Sequence, residues 1–214
     1  MKPCLVSIFI LLAACAPRRI EMPSYEGRDF REVMSEMQDI KEIETRMSIL
    51  FEKVDAEMTG DGALEIFRNG DMSLRVYSLG LLAMELTSRE GTVRSTPRLD
   101  EHKTMILTKG LRDCLYWWDM EDFTFSEDGD EYLLSNRERE LWVDRKTFLP
   151  RKQIIHIDVD KELIIYYERP ARANDVWYQS KIRIELSRYR VTLTVKNISF
   201  RSSLLPASAS KQSR

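Results

Sequence analysis

The sequence predicts an α+β fold, in which a curved antiparallel sheet of about 9–11 strands wraps over an N-terminal amphipathic helix and a helical insertion. Three observations support this prediction. Segments that alternate apolar and polar residues follow one another with short connections, so neighbouring strands are expected to be antiparallel. Two stretches have helical spacing instead. One face of the sheet is apolar, and these two helical stretches are available to cover it.

The first helix is predicted over residues 28–50. Apolar residues recur there at spacings of three and four, and charged residues occupy the opposite face. The apolar positions are Phe30, Val33, Met34, Met37, Ile40, Ile43, Met47 and Leu50. Three methionines on one stripe suit core packing, and they also suit a flexible surface over an apolar ligand.

From about residue 51 the hydrophobic period changes to two, which predicts consecutive half-buried strands. Leu64 and Ile66 belong to the first, and residues 72–76 and 82–86 form the next two. The predicted junctions lie at residues 60–62, 69–71 and 78–81. Asn69-Gly70 is a strong signal for a tight hairpin turn.

Pro97 opens a second helical stretch over residues 98–118, and Gly110 is predicted to cap its first part. Strand patterns then resume over residues 132–134, 140–143, 152–157, 163–168, 182–186 and 191–195. Asp158–Lys161 is predicted as a hairpin turn. Because Ile198 and Phe200 fall on the opposite parity, a bulge is expected near Lys196-Asn197.

The first 14 residues have the pattern of a signal peptide, with Lys2 before an uncharged run from Leu5 to Ala14. That run is too short for a membrane-spanning helix, which needs roughly 20 apolar residues. Leu12-Ala13-Ala14-Cys15 resembles the bacterial lipobox. The resemblance implies cleavage between Ala14 and Cys15 and lipidation of the Cys15 thiol. The alternative is an ordinary secretory signal.

Lipidation at Cys15 sets the predicted domain organisation. Residues 15–27 would form a lipidated tether, residues 28–201 the folded domain and residues 202–214 a disordered tail. Because Ala16 rather than aspartate follows the cysteine, the resemblance implies an outer-membrane location, facing the periplasm. Two or more acyl chains would make such attachment lasting.

Charge and cysteine content exclude several classes of protein. The 33 Lys and Arg residues nearly balance the 35 Asp and Glu residues, which gives a net charge of −2. The sequence therefore has no broad basic surface for nucleic acid and no polybasic membrane patch. Cys4 leaves with the signal and Cys15 carries lipid, so Cys114 is predicted to be an unpaired thiol.

Three stretches carry a resemblance to a known family. The first is Ser73–Leu86, the second is Glu140–Lys152 with its Asp144-x-x-Thr147 turn and Leu149-Pro150, and the third is Trp177–Ile184. They resemble the lipoprotein-localisation family of the periplasmic carrier LolA and the outer-membrane receptor LolB. The resemblance implies an open half-barrel whose cavity accepts acyl chains. The lipobox favours the anchored, LolB-like type.

The resemblance also implies the functional residues. A Leu-Gly loop of the receptor projects an exposed leucine that hands the incoming lipoprotein to the membrane. Leu79, Gly80 and Leu81 correspond to that loop, with Leu79 projecting, although Leu81 and Leu82 could instead enter the core. The candidate cavity-lining residues are Met34, Met37, Leu74, Val76, Met84, Trp117 and Trp118. Ordinary packing of the inserted helix, or contact with a membrane interface, is the alternative for Trp117 and Trp118.

Catalytic and metal-binding patterns are missing from the sequence. His102, His156 and Cys114 lie in no motif for nucleophilic or metal-assisted catalysis. The acidic residues from Asp119 to Glu131 lack the spacing of a calcium loop and are predicted to form solvated turns. We therefore expect no enzyme, no metal and no cofactor.

The sequence thus predicts a periplasmic, membrane-anchored lipoprotein that binds acyl chains or other hydrophobic ligands, in lipoprotein localisation or lipid traffic. Its expected partners are acyl chains or lipoprotein clients and a membrane, not nucleic acid, and we expect a monomer. The alternative is a non-catalytic structural or accessory envelope lipoprotein whose cavity is filled by its own side chains. A continuous apolar cavity would favour the first prediction and a solidly packed interior the second.

Overall fold

The computed structural model describes residues 22, 23, 25 and 27–202. The predicted signal peptide, its cleavage site at Ala14 and Cys15, and the tail beyond Ser202 lie outside the described residues. Within the described part of the chain, no helix combines the length and the apolar character needed to cross a membrane.

The described residues form one open, curved, antiparallel sheet of 12 strands. The strands are β1 (Ile40–Lys53), β2 (Ala56–Phe67), β3 (Met72–Ser78), β4 (Leu81–Arg89), β5 (Thr92–Thr96), β6 (Thr124–Asp128), β7 (Glu131–Ser135), β8 (Arg139–Asp144), β9 (Pro150–Asp158), β10 (Lys161–Ala173), β11 (Val176–Leu186) and β12 (Tyr189–Ser202). Their order is β5-β4-β3-β2-β1-β12-β11-β10-β9-β8-β7-β6, so β1 and β12 pair at the centre.

The strand count exceeds the predicted 9–11 because three strands were not predicted: β1, whose residues were assigned to the first helix, and the edge strands β5 and β6. The latter two are five-residue strands at the two edges of the sheet, and their sequences, TVRST and TFSED, are mostly polar. Since an edge strand need not bury a full face, it lacks the apolar alternation that identifies an inner strand. The antiparallel arrangement itself is confirmed.

Two helical segments cover the inner face of the sheet. Helix α1 (Phe30–Met37) begins at Asp29, whose side chain accepts a hydrogen bond from the Arg31 amide at 2.7 Å. The insertion consists of α2 (Glu101–Met105), a π-helical turn over Ile106–Gly110 and α3 (Leu111–Leu115). Asp100 caps its start by accepting from the Lys103 amide at 2.9 Å.

The predicted first helix is wrong beyond Met37, because residues 40–53 form strand β1. Every second residue from Ile43 to Ile49 is buried, which is the period of a strand. Thr45 hides this period in the sequence, since it is polar yet only 4% exposed. Its hydroxyl donates to the Asn197 carbonyl at 2.8 Å, which compensates for its burial.

Two glycine predictions are also wrong. Gly60-Asp61-Gly62 is not a junction but lies inside β2, and a Cβ on Gly60 would stand 2.8 Å from the Tyr77 carbonyl oxygen. Gly110 does not cap a helix, because the helical insertion continues through it. A Cβ there would lie 3.2 Å from Ile184, so both glycines serve close packing rather than a turn.

The remaining predicted connections are confirmed. The chain turns after Asn69-Gly70, at Leu79-Gly80 and at Val159-Asp160. The pairing of β1 with β12 skips Lys196, which is the predicted bulge. Ser202, predicted to begin the tail, is the last residue of β12.

The core lies between the sheet and the helical segments. The insertion contacts β10 and β11, and its fully buried residues include Leu111, Tyr116 and Trp118. Helix α1 covers the β6–β8 side instead, where the Phe30 ring packs 5.4 Å from that of Phe148. Tyr25, in the segment predicted as a tether, stacks on the same Phe148 ring at 5.0 Å. The packed part of the chain therefore reaches back to Tyr25.

Candidate functional site

The hairpin between β3 and β4, residues 77–84, presents leucines to solvent; we call it the leucine hairpin. Leu79 is 101% exposed, Leu81 75% and Leu82 54%. Leu81 and Leu82 therefore do not enter the core. The side chain of Leu79 stands at the tip of the turn, where the resemblance to the receptor's loop placed it.

The turn holds Leu79 in an unfavourable backbone conformation. Leu79 has φ +53° and Gly80 has φ +79°, and two positive φ values are typical of the type I′ turn that suits a tight hairpin. Glycine, asparagine and aspartate adopt this conformation readily, whereas a leucine there is uncommon. Leu79 is thus disfavoured at this position in two ways: by the positive φ of the turn and by the exposure of its side chain to water.

The leucine hairpin is also a free edge of the sheet within the described residues. Strand β5 pairs with β4 only from Glu85 to Arg89, which leaves residues 81–84 of β4 without a neighbour on that side. No residue from Tyr77 to Met84 carries a charge. Charged residues flank this stretch: Arg75 and Glu85 pair at 3.0 Å on the next cross-strand position, and Asp61 of β2 lies opposite Tyr77.

Other exposed apolar residues lie at the same end of the strands as the leucine hairpin. The β1–β2, β3–β4 and β9–β10 turns all fall at that end. Val54 is 79% exposed and Val159 is 95% exposed. Carboxylates flank both valines in sequence, Asp55 beside Val54 and Asp158 beside Val159. Of these three turns, the one in the leucine hairpin is therefore the one whose exposed apolar residues have no carboxylate beside them in sequence.

The residues predicted to line a cavity lie in a packed core. Met37 is partly buried, and the others are buried and belong to one apolar cluster: Met34, Leu74, Val76, Met84, Trp117 and Trp118. Burial rules out contact of Trp117 and Trp118 with a membrane interface. Both line an apolar cavity of about 20 Å³, the inner cavity, which the other five do not reach.

The wider depressions of the described surface are polar. One of about 580 Å³ lies on the outer face of the sheet, where Glu44, Arg46, Glu65 and Arg75 line it. Such a lining does not suit an acyl chain, because charged groups would lose water without gaining partners. The region that suits an apolar ligand is the space between the inner face of the sheet and the helical insertion.

A buried charged network, which the sequence reading missed, fixes the insertion to the sheet. The carboxylate of Asp113, fully buried, lies 3.1 Å from Arg139, 2.7 Å from Arg112 and 3.3 Å from Lys109. Arg112 also pairs with Asp119, which in turn lies 2.8 Å from Arg68. Asp119, predicted to lie in a solvated turn, is therefore part of this network.

The network continues into β9 and β10 through neutral groups. With the amide of Gln153 oriented to suit its neighbours, it accepts from Arg139 at 3.2 Å and donates to the Tyr167 hydroxyl at 2.6 Å. Its amide nitrogen also lies 3.3 Å from the Asp113 carbonyl. Most buried polar atoms of the network thus have hydrogen-bond partners, whereas Asp113 Oδ2 makes no hydrogen bond and lies 3.3 Å from the Lys109 ammonium.

The network changes the acidity of its members. Burial raises the pKa of Asp113, but the positive charges of Arg139, Lys109 and Arg112 outweigh it, so the pKa of this carboxyl lies below its usual value. Burial raises the pKa of the Tyr167 hydroxyl and of the Cys114 thiol. Cys114 is a free, buried cysteine whose thiol donates to the Leu111 carbonyl at 3.3 Å.

The predicted Asp144-x-x-Thr147 turn is held by its own side chains. One oxygen of Asp144 accepts from the Thr147 amide at 2.8 Å and from the Thr147 hydroxyl at 2.9 Å. Its other oxygen pairs with Arg151. Burial raises the pKa of Asp144, and these hydrogen bonds with the Arg151 charge lower it by more.

The two histidines and one acidic cluster are the other candidates for chemistry among the described residues. His156 lies on the sheet 3.3 Å from Glu162, and the His102 ring packs 5.6 Å from that of Tyr189. Carboxylates of Glu42, Glu44 and Glu65 lie within 4.8 Å of one another and could hold a cation. Arg201 already pairs with Glu42 and Glu44, each at 2.8 Å.

An open antiparallel sheet closed over short helices is the LolA-like half-barrel, and solved structures share it. A LolA superfamily protein from Nitrosomonas europaea superposes with a TM-score of 0.53 at 14% identity, covering 82% of this chain and 94% of that chain. A DUF1329 family protein from Desulfovibrio piger gives 0.50 at 13% identity, covering 86% and 96%.

A domain of a candidate outer membrane lipoprotein-sorting protein from Vibrio parahaemolyticus gives a TM-score of 0.50 at 12% identity, covering 82% of this chain and 92% of that chain. No protein-family profile and no curated protein matches the chain. At these identities the likeness establishes the fold. It does not distinguish a LolB-like receptor from other proteins of this fold.

Proposed function

We propose that this protein is a lipid-anchored envelope protein that binds acyl chains or other hydrophobic ligands beneath its sheet and touches a membrane through the leucine hairpin, in lipoprotein localisation or lipid traffic. The observation that carries the proposal is the exposure of Leu79, Leu81 and Leu82 on an uncharged, unpaired stretch of sheet edge. Exposing these leucine side chains to water is unfavourable, so the arrangement suits a partner that buries them.

A bilayer is the partner that fits this hairpin best. Burying a leucine side chain contributes about 1.5–3 kcal/mol, and a projecting tip needs no matching surface to enter a fluid acyl layer. A protein partner would need a shaped, contiguous contact instead. The absence of charge from Tyr77 to Met84 supports insertion, because a buried charge would oppose it.

The lipobox at Leu12–Cys15 supports attachment to a membrane by lipid, with removal of residues 1–14. Ala16 after the cysteine supports the outer membrane, with the domain in the periplasm. The Vibrio parahaemolyticus neighbour, described as a candidate for outer membrane lipoprotein sorting, supports the same compartment. A receptor of the LolB-like type combines an anchor with a projecting leucine. That type is what we propose here, as a monomer without catalytic activity.

A second function is favoured by a different observation. The inner cavity measures only about 20 Å³, so side chains fill most of the space between sheet and insertion. An accessory envelope lipoprotein, whose interior holds no ligand, would have such a core. The first proposal therefore requires the interior to open when an acyl chain enters.

Mass spectrometry of the protein, extracted gently from its host membrane, distinguishes the two functions. Stoichiometric non-covalent lipid that survives washing is expected if the protein carries acyl chains. The matched control is an envelope lipoprotein of a different fold that is extracted in the same way. A protein that retains no more lipid than this control, and binds no added acyl probe, would be the accessory protein instead.

A further inference from the structure

The inner cavity has an apolar wall, and two of the residues that line it each carry a buried polar atom without a hydrogen-bond partner. Trp117 and Trp118 form its inner wall, and the half-buried rings of Tyr178 and Phe200 belong to its outer wall. These two rings pack against each other with centroids 6.0 Å apart. The strand residues around the cavity lie on β9, β10, β11 and β12, so the sheet itself forms its floor.

The first unpartnered atom is a donor. Trp118 is 1% exposed, and its indole Nε1–H makes no hydrogen bond. Buried indole N–H groups usually find an acceptor, because a lost hydrogen bond costs free energy that packing must otherwise offset. Trp117, on the same wall, is 3% exposed, and its indole nitrogen is not one of the fully buried atoms that lack a partner.

The second unpartnered atom is an acceptor. The side-chain nitrogen of Gln179 donates to the Pro150 carbonyl at 3.1 Å, and this bond fixes which way the amide faces. Its Oε1 is buried and accepts nothing. Because the orientation is fixed, the oxygen cannot exchange places with the nitrogen to gain a donor.

We infer that the inner cavity recognises an uncharged group that both accepts and donates a hydrogen bond, a hydroxyl or a secondary amide, at the end of an apolar chain. The ligand would accept from Trp118 Nε1–H and donate to Gln179 Oε1, while its chain lies against the aromatic wall. The inference rests on the proposed function and names the chemical class that the acyl-binding site selects.

The lining sets the charge of this ligand. No residue around the inner cavity carries a charged side chain, and its polar members are Trp118, Gln179, Tyr167, Tyr178 and Cys114. A carboxylate would lose its water there without gaining a cation. The cavity therefore favours an alcohol or an amide over an ionised fatty acid.

The size of the cavity sets how the ligand enters. A chain needs more room than about 20 Å³, and the half-buried rings of Tyr178 and Phe200 are the wall that can move. Entry thus displaces these rings toward solvent and opens the two buried atoms to the ligand's polar group.

The test uses two probes that differ at a single position. N-Methyloctanamide and methyl octanoate have the same chain, but the amide N–H is replaced by an ester oxygen. Isothermal titration of the full chain should show the amide binding about tenfold more tightly, since the ester offers no donor and leaves Gln179 Oε1 unpaired. 1-Decanol tests whether a hydroxyl group is recognised as well, and it should bind. Octanoate tests whether a charged group is excluded, and it should bind more weakly than the amide.

Three variants test the two atoms separately. Gln179→Met removes the acceptor that only the amide can use, so it should bind amide and ester almost equally. Trp118→Phe removes the indole N–H from which the carbonyl of either probe accepts, so it should weaken both probes by a similar factor and keep their ratio. Trp117→Phe is the matched control, since it shortens the same wall but leaves both polar atoms in place, and it should keep the tenfold preference and bind both probes more tightly than Trp118→Phe does. Thermal melts show whether each variant folds, and Gln179→Met alone decides the test if Trp118→Phe does not.

The outcomes separate this inference from the proposed function. If the full chain binds ester and amide equally, or binds octanoate best, acyl binding stands and the inference is overturned. A tenfold preference that survives in Gln179→Met overturns it as well, and so does a Trp118→Phe variant that binds both probes as tightly as Trp117→Phe does. If none of the four probes binds, the proposed acyl-binding function fails, and the inference fails with it.

Discussion

The carboxylate of Asp113 lies 3.1 Å from the guanidinium of Arg139, and together they join α3 to β8 inside the core. Asp113 is fully buried and the Arg139 side chain is 9% exposed, so neither charge is screened by much water. From Asp113 the contacts continue through Arg112 and Asp119 to Arg68, beyond β2. One chain of charges thus links the insertion to both halves of the sheet.

Removing the Asp113 charge should destabilise the domain. Asp113→Asn leaves Arg139 buried without its counter-ion, and breaking a buried pair in this way costs about 3–5 kcal/mol of unfolding free energy. Urea denaturation measures the loss. Asp175→Asn is the control, because that carboxylate is 96% exposed in its pair with Arg172, and the change should be under about 0.5 kcal/mol. Equal stability of the two variants would contradict the buried network.

The same carboxylate should make stability fall in acid. Because the folded-state pKa of Asp113 lies below its ordinary value of 3.8, the unfolded chain binds more protons as pH falls. The contribution of Asp113 is therefore present above about pH 4 and is lost as pH drops through the folded pKa. Melting temperatures between neutral pH and about pH 2 should fall less steeply for Asp113→Asn. Some slope should remain, because the pKa of Asp144 is lowered too.

Gly60 should tolerate no side chain. A Cβ there would meet the Tyr77 carbonyl oxygen at 2.8 Å and Val76 at 2.9 Å, and the former belongs to the backbone of β3. Gly60→Ala should therefore cost about 1–3 kcal/mol, despite the usual gain from removing a glycine from a strand. The neighbouring Thr59→Ala is the control in the same denaturation experiment. A Gly60→Ala variant as stable as the wild type would mean that β2 and β3 are further apart.

The sequence was sufficient to predict inner strands and tight turns, because both depend on local patterns. Alternation predicted the strands from β3 onward that bury one face, and Asn69-Gly70 predicted its turn. Residues 40–50 misled the prediction because Ile43 and Met47 fit both a spacing of four and a spacing of two. The buried polar Thr45, which distinguishes the two, depends on a bond to Asn197, 152 residues away.

For the candidate site as well, the features set by local sequence could be predicted, and those set by contacts between distant residues could not. Leu79 could be placed at a tip from Ser78 and Gly80 beside it, since exposure of a turn is a local property. The partners of Asp113, in contrast, are set by the packing of α3 on β8 and β9. Two charges within the apolar stretch Leu111–Trp118 were the available signal, and only the fold brings Arg139 and Gln153 to them. The unpartnered atom of Gln179 left no signal in the sequence.

The lipid anchor leads to a prediction at Cys15, which lies outside the described residues. Cys15→Ser should abolish lipidation and block cleavage after Ala14, because the serine hydroxyl does not replace the thiol that receives the lipid. Metabolic labelling with a radioactive fatty acid, followed by electrophoresis, measures both effects. Cys114→Ser is the control and should label fully, since that thiol is buried. Equal labelling of Cys15→Ser and wild type would contradict the lipoprotein proposal.

The leucine hairpin gives a prediction in which stability and function change in opposite directions. Leu79→Asn should stabilise the domain by about 1 kcal/mol, because asparagine adopts the positive φ of that turn more readily than leucine does. The same change should weaken binding to vesicles by about tenfold or more, since it removes an aliphatic tip from the membrane contact. Flotation of a chain that begins at Ala16, and so lacks the lipid, measures binding without the anchor. Val159→Asn is the matched control: Val159 is 95% exposed on the same side of the sheet but stands between Asp158 and Asp160, so binding should not change. A stable Leu79→Asn variant that floats as well as the wild type would remove the hairpin from the membrane contact.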